Sequence, residues 1–353
     1  MCGTSTGAGP GSSPSLDARA AWWKSPRAES KSCSRTKGCL RTRRQRGTGG
    51  RRIRPERTTA SFPSGATSGF AAIGGLRLHY VEAGSGPPVL LLHGFPEFWL
   101  AWRHQLPALA AAGYRAIAPD LRGYNLSDKP DGISPYRLRH LVSDIAELIR
   151  WTGEASVVLA GHDWGGAIAW YVAKDYPDLI SRLIILNAPH PVAMKRELGT
   201  WAQRRRSWYA FAFQIPALPE LAIRVFDFAL LRRILRRDPV RPGAFTDNDI
   251  EAYVRTLSQP GALTSTINYY RALRAGSRGR PSGPRWRDAT IAAPTLLIWG
   301  ERDRYLGLPL LDDLERLVDS LRIERIPDAS HWVQTDAPDR VNELILTFLS
   351  ETE

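Results

Sequence analysis

The chain has 353 residues, 43% of them hydrophobic, and a formal net charge of +13. This length is sufficient for one large domain or two small ones. The charge is uneven, because residues 1–65 hold 14 Lys and Arg against three acids, whereas the remainder holds 34 basic and 32 acidic residues. The three cysteines, Cys2, Cys33 and Cys39, lie in the same basic segment, which excludes a disulfide framework and thiol chemistry from the remainder.

Residues 1–65 are rich in Gly, Ser, Pro and Arg and poor in apolar runs, a composition typical of a disordered tail. They contain no 18-residue apolar stretch, so no transmembrane segment is predicted there. Three interpretations remain open: a silent or mis-assigned start of the chain, an arm that binds nucleic acid or acidic lipid without specificity, and an organelle transit peptide. We expect a cytoplasmic protein, with organelle targeting by the tail left open.

The rest of the chain alternates strand-like and helix-like segments. Apolar runs predict strands at residues 76–83, 89–92, 115–118, 155–160, 182–187, 294–299 and 321–326. Helical periodicity predicts helices at residues 100–112, 136–152, 166–173 and 341–349. Continuous apolar runs are typical of strands that are buried on both faces of a parallel sheet. The pattern therefore predicts an α/β fold with a doubly wound, mostly parallel sheet.

Residues 191–288 break this alternation. They are rich in aromatic residues and Arg and contain no strand-like run, and they are too long for a structureless connection. We predict a helical cap here, inserted between two parts of an α/β core at residues 66–190 and 289–353. A cap over the carboxyl edge of the sheet would bury a site and line its pocket.

The motif Gly-His-Asp-Trp-Gly at residues 161–165 follows a strand-like run and precedes a helix-like one. A strand, a sharp turn and a helix in this order form the nucleophile elbow of α/β-hydrolases. Such a turn needs small neighbours, which Gly161 and Gly165 provide. Asp163 then takes the nucleophile position, beside a helix N-terminus that favours negative charge. An Asp that only caps the helix is the structural alternative.

An Asp nucleophile restricts the reaction. A Ser that attacked a saturated carbon would leave an ether, which water does not readily cleave, whereas an Asp leaves an ester that activated water can hydrolyse. The sequence therefore predicts displacement at saturated carbon, either epoxide opening or halide displacement. It argues against an ordinary esterase or amidase.

We predict that His331 is the base for this nucleophile. Of the seven histidines, it alone lies in a loop after the last predicted strand. This position fits the chain order nucleophile, acid, histidine. Asp303 lies in the loop after the preceding strand and is predicted to orient His331, while Glu301 in the same loop is the weaker candidate. No cluster of histidines accompanies the cysteines, so no zinc site is predicted.

Over residues 70–350 the chain resembles the epoxide hydrolases of the α/β-hydrolase fold. The matching pieces are the loop His-Gly-Phe-Pro-Glu at residues 93–97, the elbow, and the loops of Asp303 and His331. The elbow alone does not separate this family from haloalkane and haloacid dehalogenases, but many haloalkane dehalogenases carry Asn in place of the Phe. The resemblance implies that the partners are a small apolar epoxide and water, with no metal and no organic cofactor.

The resemblance also implies roles for individual residues. Tyr209 and Tyr270 in the predicted cap correspond to two tyrosines that donate protons to the leaving oxygen, although packing is their alternative role. The backbone N–H groups of Phe95 and Trp164 correspond to an oxyanion hole. Asp120 and Asp128 are similar to scaffold positions and are assigned no catalysis. Support of the loop and the elbow, without proton transfer, is expected of His93, Gly94, Pro96, Gly161, His162 and Gly165.

Two rival functions remain open from the sequence. A dehalogenase would use the same Asp163, but a halide needs no proton and would leave Tyr209 and Tyr270 without a role. An inactive hydrolase fold with a basic arm would bind nucleic acid, but the intact nucleophile, acid and base argue against it. We expect no specific nucleic-acid partner, and the sequence leaves the natural epoxide, the regiochemistry and the oligomeric state open.

Overall fold

The computed structural model describes residues 62–276 and 290–351. In this part of the chain eight strands form one sheet in the order β1-β2-β4-β3-β5-β6-β7-β8. The pairs β1–β2 and β2–β4 are antiparallel and the other neighbours are parallel, which confirms the predicted mostly parallel sheet. The strands are β1 Thr67–Ile73, β2 Leu76–Ala83, β3 Pro88–Leu92, β4 Arg115–Pro119, β5 Val157–His162, β6 Ile180–Leu186, β7 Thr295–Gly300 and β8 Leu321–Ile326.

The central strands are buried along their whole length. Every residue of β3, β5 and β7 is buried, as their continuous apolar sequences predict for strands covered on both faces. The outer strand β1 is instead largely exposed. The buried carboxyl ends of β5, β6 and β7 lie next to one another, because these strands are parallel neighbours. Side chains that follow these ends therefore meet at one edge of the sheet.

Helices cover the sheet in two groups. Helix α1 packs against α11, and α2 packs against α3, with both pairs also in contact with strands. None of the helices within the described residues is long and apolar enough to cross a lipid bilayer. The core helices are α1 Gln105–Ala111, α2 Leu138–Trp151, α3 Trp164–Asp175, the short α10 Val333–Asp336 and α11 Pro338–Ser350.

Six helices and no strand lie between β6 and β7 within the described residues, in line with the helical character predicted for residues 191–288. Residues 277–289 of that predicted segment lie outside the described part of the chain. Helix α7 is interrupted at Val225–Phe228, where three residues have positive φ. The cap helices are α4 Pro191–Glu197, α5 Trp201–Arg206, α6 Trp208–Ala212, α7 Leu218–Arg237, α8 Asp247–Ser258 and α9 Ala262–Gly276.

Two elements differ from the sequence predictions. Strand β1 was not predicted, because its Gly and Ala residues have low strand propensity and its pairing with β2 alone creates it. The helix predicted at residues 100–112 is divided into a 3-10 turn at Trp99–Trp102 and helix α1. Pro107 lies in the first turn of α1. Backbone N–H groups in this turn have no partner within the helix, so proline costs no helical hydrogen bond there.

The junction between β5 and α3 is packed so closely that it admits only glycine at two positions. A Cβ on Gly161 would lie 2.5 Å from the carbonyl oxygen of Gly165, and a Cβ on Gly165 would lie 2.2 Å from that of Leu92. Both obstacles are backbone atoms, which cannot move without disturbing the sheet. The two glycines therefore fix how tightly the chain can turn between the strand and the helix.

We expect Gly165→Ala to lower the free energy of unfolding by at least about 2 kcal/mol, because the added methyl group overlaps the backbone of β3. Urea unfolding followed by circular dichroism measures this loss. Gly307→Ala is the control, since a Cβ there would lie 3.4 Å from its nearest neighbour, a side-chain oxygen of Gln203. Equal stability of the two variants would contradict the packing argument.

Candidate active site

Asp163 occupies the turn between β5 and α3 with φ 50° and ψ −117°. A residue other than glycine with positive φ is strained, and an elbow that exposes its side chain above the sheet produces such a conformation. The loop after β3 crosses directly over this side chain, because a Cβ on Gly94 would lie 2.4 Å from Asp163 Oδ1. Glycine at that position lets backbone N–H groups approach the carboxylate.

The two oxygens of the Asp163 carboxylate have different neighbours. The backbone N–H of Phe95 donates to Oδ1 at 2.8 Å, and Oδ2 lies 3.6 Å from Nε2 of His331. Trp164 is the first residue of α3, so its backbone N–H follows directly after the nucleophile position. The geometry thus brings the predicted oxyanion loop and the predicted base to opposite oxygens of one carboxylate.

The predicted base and its orienting acid are in direct contact. His331 follows β8 and Asp303 follows β7, and Nδ1–H of His331 donates to Oδ2 of Asp303 at 2.7 Å. Both side chains are almost completely buried. Glu301, the weaker candidate for the acid, instead accepts a hydrogen bond from Arg325 at 2.8 Å. The contact with His331 therefore belongs to Asp303.

Three further groups hold Asp303 in place. The backbone N–H groups of Tyr305 and Leu306 donate to its Oδ1 at 2.7 and 2.9 Å. The side-chain amide of Asn187 donates to its Oδ2 at 2.8 Å. Asn187 was not singled out in the sequence, although a polar residue directly after the buried strand β6 was the signal that could have identified it.

Electrostatics make Asp163 and His331 an ion pair. Burial alone would raise the pKa of Asp163, but the nearby cationic ring of His331, together with the N–H of Phe95, outweighs it and holds this pKa below its usual range. Burial alone would lower the pKa of His331, but the negative charges of Asp303 and Asp163 raise it well above its usual range. In the free protein a cationic ring thus lies between two carboxylates.

A second buried pair of an acid and a histidine lies behind this ring. Nδ1 of His162 is 2.7 Å from Oε2 of Glu97, and its Nε2 is 2.8 Å from the backbone oxygen of His331. Glu97 also accepts hydrogen bonds from the backbone N–H of Gly94 and the side chain of Gln334, each at 3.4 Å. The pair therefore links the oxyanion loop, the elbow and the loop of His331, a link that sequence reasoning missed.

The remaining motif residues contact the scaffold and not the Asp163 carboxylate. His93 accepts a hydrogen bond from the N–H of Leu121 at 3.0 Å and donates to the carbonyl of Gly94, and burial lowers its pKa. Asp120 receives hydrogen bonds from Trp99, Asn125 and His79. Asp128 receives them from the backbone and side chain of Arg77.

Tyr209 in α6 and Tyr270 in α9 lie close to Asp163. Their ring centroids are 5.8 Å apart, and both rings line a cavity of about 650 Å³ with Asp163, His331 and Pro96. Burial first, and then the charge of Asp163 among other groups, raises the pKa of each hydroxyl above its usual value. Both hydroxyls therefore keep their protons at neutral pH and can donate them.

A second cavity of about 630 Å³ shares Asp163, Tyr209 and Tyr270 with the first. Asp163 thus lies where two largely apolar spaces meet. A larger depression of about 1010 Å³, lined by Ile133 and Arg271 among others, contains none of the predicted site residues.

No group of three or more His, Cys, Asp and Glu side chains suited to a metal ion occurs within residues 62–276 and 290–351. The chemistry available from the described side chains is nucleophilic attack by a carboxylate, proton transfer by an imidazole and proton donation by phenols.

Comparison with known proteins agrees with the observed fold. The family described as alpha/beta hydrolase fold matches residues 87–338. The AB hydrolase superfamily protein YfhM of Bacillus subtilis is 41% identical over 283 residues, which cover 79% of this chain and 96% of that protein. Epoxide hydrolase 4 of Mus musculus is 42% identical over 285 residues, which cover 78% of this chain and 77% of that protein.

A solved structure of a Bacillus megaterium epoxide hydrolase in complex with an inhibitor has a TM-score of 0.74 at 34% identity. It covers 80% of this chain and 100% of that chain. The sheet order, the matched family and these relatives agree with one another. The chain therefore belongs to the α/β-hydrolase fold family and, within it, to the epoxide hydrolases.

Proposed function

We propose that this chain hydrolyses an apolar epoxide to a vicinal diol through a covalent ester on Asp163. One observation carries the proposal: Asp163, His331, Tyr209 and Tyr270 line the same cavity. A nucleophile, a base and two hydroxyl donors around one space are the groups that epoxide opening and ester hydrolysis together require. The substrate partners are then the epoxide and water.

In the first half-reaction the Asp163 carboxylate attacks one ring carbon of the epoxide. Because Phe95 holds Oδ1 through its N–H, Oδ2 forms the new C–O bond and Oδ1 becomes the ester carbonyl oxygen. The bond between the attacked carbon and the epoxide oxygen breaks, and its electron pair stays on that oxygen. Tyr209 or Tyr270 gives this alkoxide a proton.

Ester formation removes the charge of Asp163, which is one of the charges that raise the pKa of His331. The pKa of His331 then falls, and the ring gives its proton to the tyrosinate that the first half-reaction leaves. His331 becomes a neutral base, still oriented by Asp303. Alkylation of Asp163 therefore converts His331 from a cation into the neutral base that the second half-reaction needs.

In the second half-reaction a water molecule attacks Cγ of the ester while His331 takes one of its protons. The N–H groups of Phe95 and Trp164 stabilise the oxyanion on Oδ1, and the loss of one such donor typically costs about 2.7–4 kcal/mol. Collapse breaks the Cγ–Oδ2 bond, and the diol oxygen takes the second proton of the water. Asp163 is again a carboxylate beside a protonated His331.

The tyrosine pair favours an epoxide over a haloalkane as the substrate. The leaving oxygen of an epoxide stays attached to the product as an alkoxide, so a proton donor lowers the barrier. A halide leaves as a stable anion and needs no proton. Two phenols that line the same cavity as Asp163 therefore match the first reaction.

The order of the two half-reactions gives the first prediction. We expect His331→Gln to form the ester and then stall, because attack needs no base, whereas Asp163→Asn forms no ester. Intact-mass spectrometry after incubation with a panel of epoxides and haloalkanes would detect a mass gain equal to a whole epoxide. Turnover by His331→Gln at the wild-type rate would contradict the mechanism, and a gain of the alkyl group without halogen would identify a dehalogenase.

The tyrosine hydroxyls give the second prediction. We expect Tyr209→Phe and Tyr270→Phe each to slow ester formation by about 10²-fold or more, the usual contribution of a positioned proton donor. Single-turnover kinetics measures this step. Tyr269→Phe is the matched control, because the Tyr269 hydroxyl donates to the backbone oxygen of Arg122 at 2.7 Å. Equal losses in all three variants would show that the rings only pack.

The charge of Asp163 gives the third prediction. Asp163→Asn removes a negative charge beside His331, so the pKa of the His331 imidazole should fall from its raised value. NMR of isotope-labelled histidine across the titration measures this pKa. Asp128→Asn is the control, since its carboxylate pairs with Arg77 at the surface. A pKa of His331 that stays equal or rises in Asp163→Asn would contradict the ion pair.

A further inference from the structure

The cap exposes several large apolar side chains to solvent. Phe226 is 87% exposed, Trp201 78% and Trp208 64%, and most of the exposed large apolar residues of the described chain lie in this cap. Single exposed apolar residues are common on soluble proteins, but a group of them on one part of the surface marks an interaction site.

The same part of the chain is strongly cationic. Residues 191–241 hold 11 Lys and Arg and four acids, although the chain from residue 66 onward is nearly neutral as a whole. Arg205, Arg233 and Arg237 are exposed and form no ion pair within the described residues. Their charge is therefore available to a partner.

Apolar and cationic residues meet at the mouth of the active-site cavity. Leu230, Arg233, Ile234 and Arg237 have the spacing of one helical face in the second half of α7. They line a depression together with Asp238 and Arg304, which pair with each other at 3.0 Å. Leu230 and Ile234 also line the cavity that contains Asp163. The catalytic space therefore opens to the surface along this helical face.

Two residues from α5 and α6 complete this mouth. Arg205 and Trp208 line the same cavity as Asp163, and both are exposed. We call the combined set the basic rim: Arg205, Trp208, Leu230, Arg233 and Arg237. It surrounds an apolar opening with unpaired positive charge.

We propose that the basic rim binds the surface of an anionic lipid bilayer, with the cavity mouth turned toward the lipid. Arginines pair with anionic headgroups while Trp and Leu side chains enter the interface between headgroups and acyl chains. A second copy of the chain would bring two cationic surfaces together. Nucleic acid would pair with the arginines but leave Trp208 and Leu230 exposed to water.

This orientation would help the enzyme obtain its substrate, and that advantage rests on the proposed function. An apolar epoxide partitions into a bilayer, so a cavity mouth at the lipid surface would receive the substrate without its passage through water. The binding itself does not depend on the reaction at Asp163, and a measurement of lipid binding without turnover keeps the two proposals separable.

The test measures the partition of the full chain onto phosphatidylcholine vesicles with and without phosphatidylserine. We expect Arg233→Gln/Arg237→Gln to weaken binding to the anionic vesicles by at least about tenfold, given the usual contribution of each arginine near such a surface. Arg139→Gln/Arg316→Gln is the matched control, with the same change in net charge at exposed positions of the core. It retains the wild-type partition.

A second variant tests the apolar part of the surface. Leu230→Ser should also weaken vesicle binding, while its binding to duplex DNA and RNA stays as in the wild type. Equal losses in both arginine double variants, or no loss in either, would overturn the proposal. So would a rim-dependent affinity for nucleic acid alone, or a rim-dependent dimer in sedimentation. Circular dichroism verifies that each variant is folded.

Discussion

His331 donates to Asp303 from one side of its ring and lies 3.6 Å from Asp163 on the other, so one buried imidazole separates two carboxylates. Two buried negative charges without a cation between them would be strongly destabilising, and so would a buried cation without them. The cation therefore lowers the cost of burying both carboxylates, and each carboxylate lowers the cost of burying the cation. They come from the ends of β5, β7 and β8, and the parallel sheet brings those ends to one edge.

The surroundings of this trio fix its geometry. Asn187 and two backbone N–H groups saturate Asp303, so its carboxylate has one orientation toward the ring. Behind the ring, His162 bridges Glu97 and the backbone of His331, and Glu97 also accepts a hydrogen bond from the N–H of Gly94 in the loop after β3. A shift of any of these loops would change several hydrogen bonds at once, and this coupling keeps the site rigid.

The fold and the principal groups of the site could be predicted from the sequence because their signals are local. The flanking glycines identify Asp163, and chain order with loop position identifies His331 and Asp303. The hydrogen bond from Asn187 to Asp303 joins residues 116 positions apart, and no short-range pattern records it. Strand β1 escaped prediction for a similar reason, since its conformation depends on pairing with β2.

The cap begins after β6 and ends before β7, and these two strands are direct neighbours, with Leu183 opposite Thr295 and Leu186 opposite Ile298. The sheet is therefore continuous across the insertion, and the length of the intervening chain adds little to the cost of closing it. A different cap that keeps Tyr209 and Tyr270 could therefore replace this one between the same two strands. Such an exchange would change the walls of the cavity that Asp163 lines and leave the pairing of β6 with β7 unchanged.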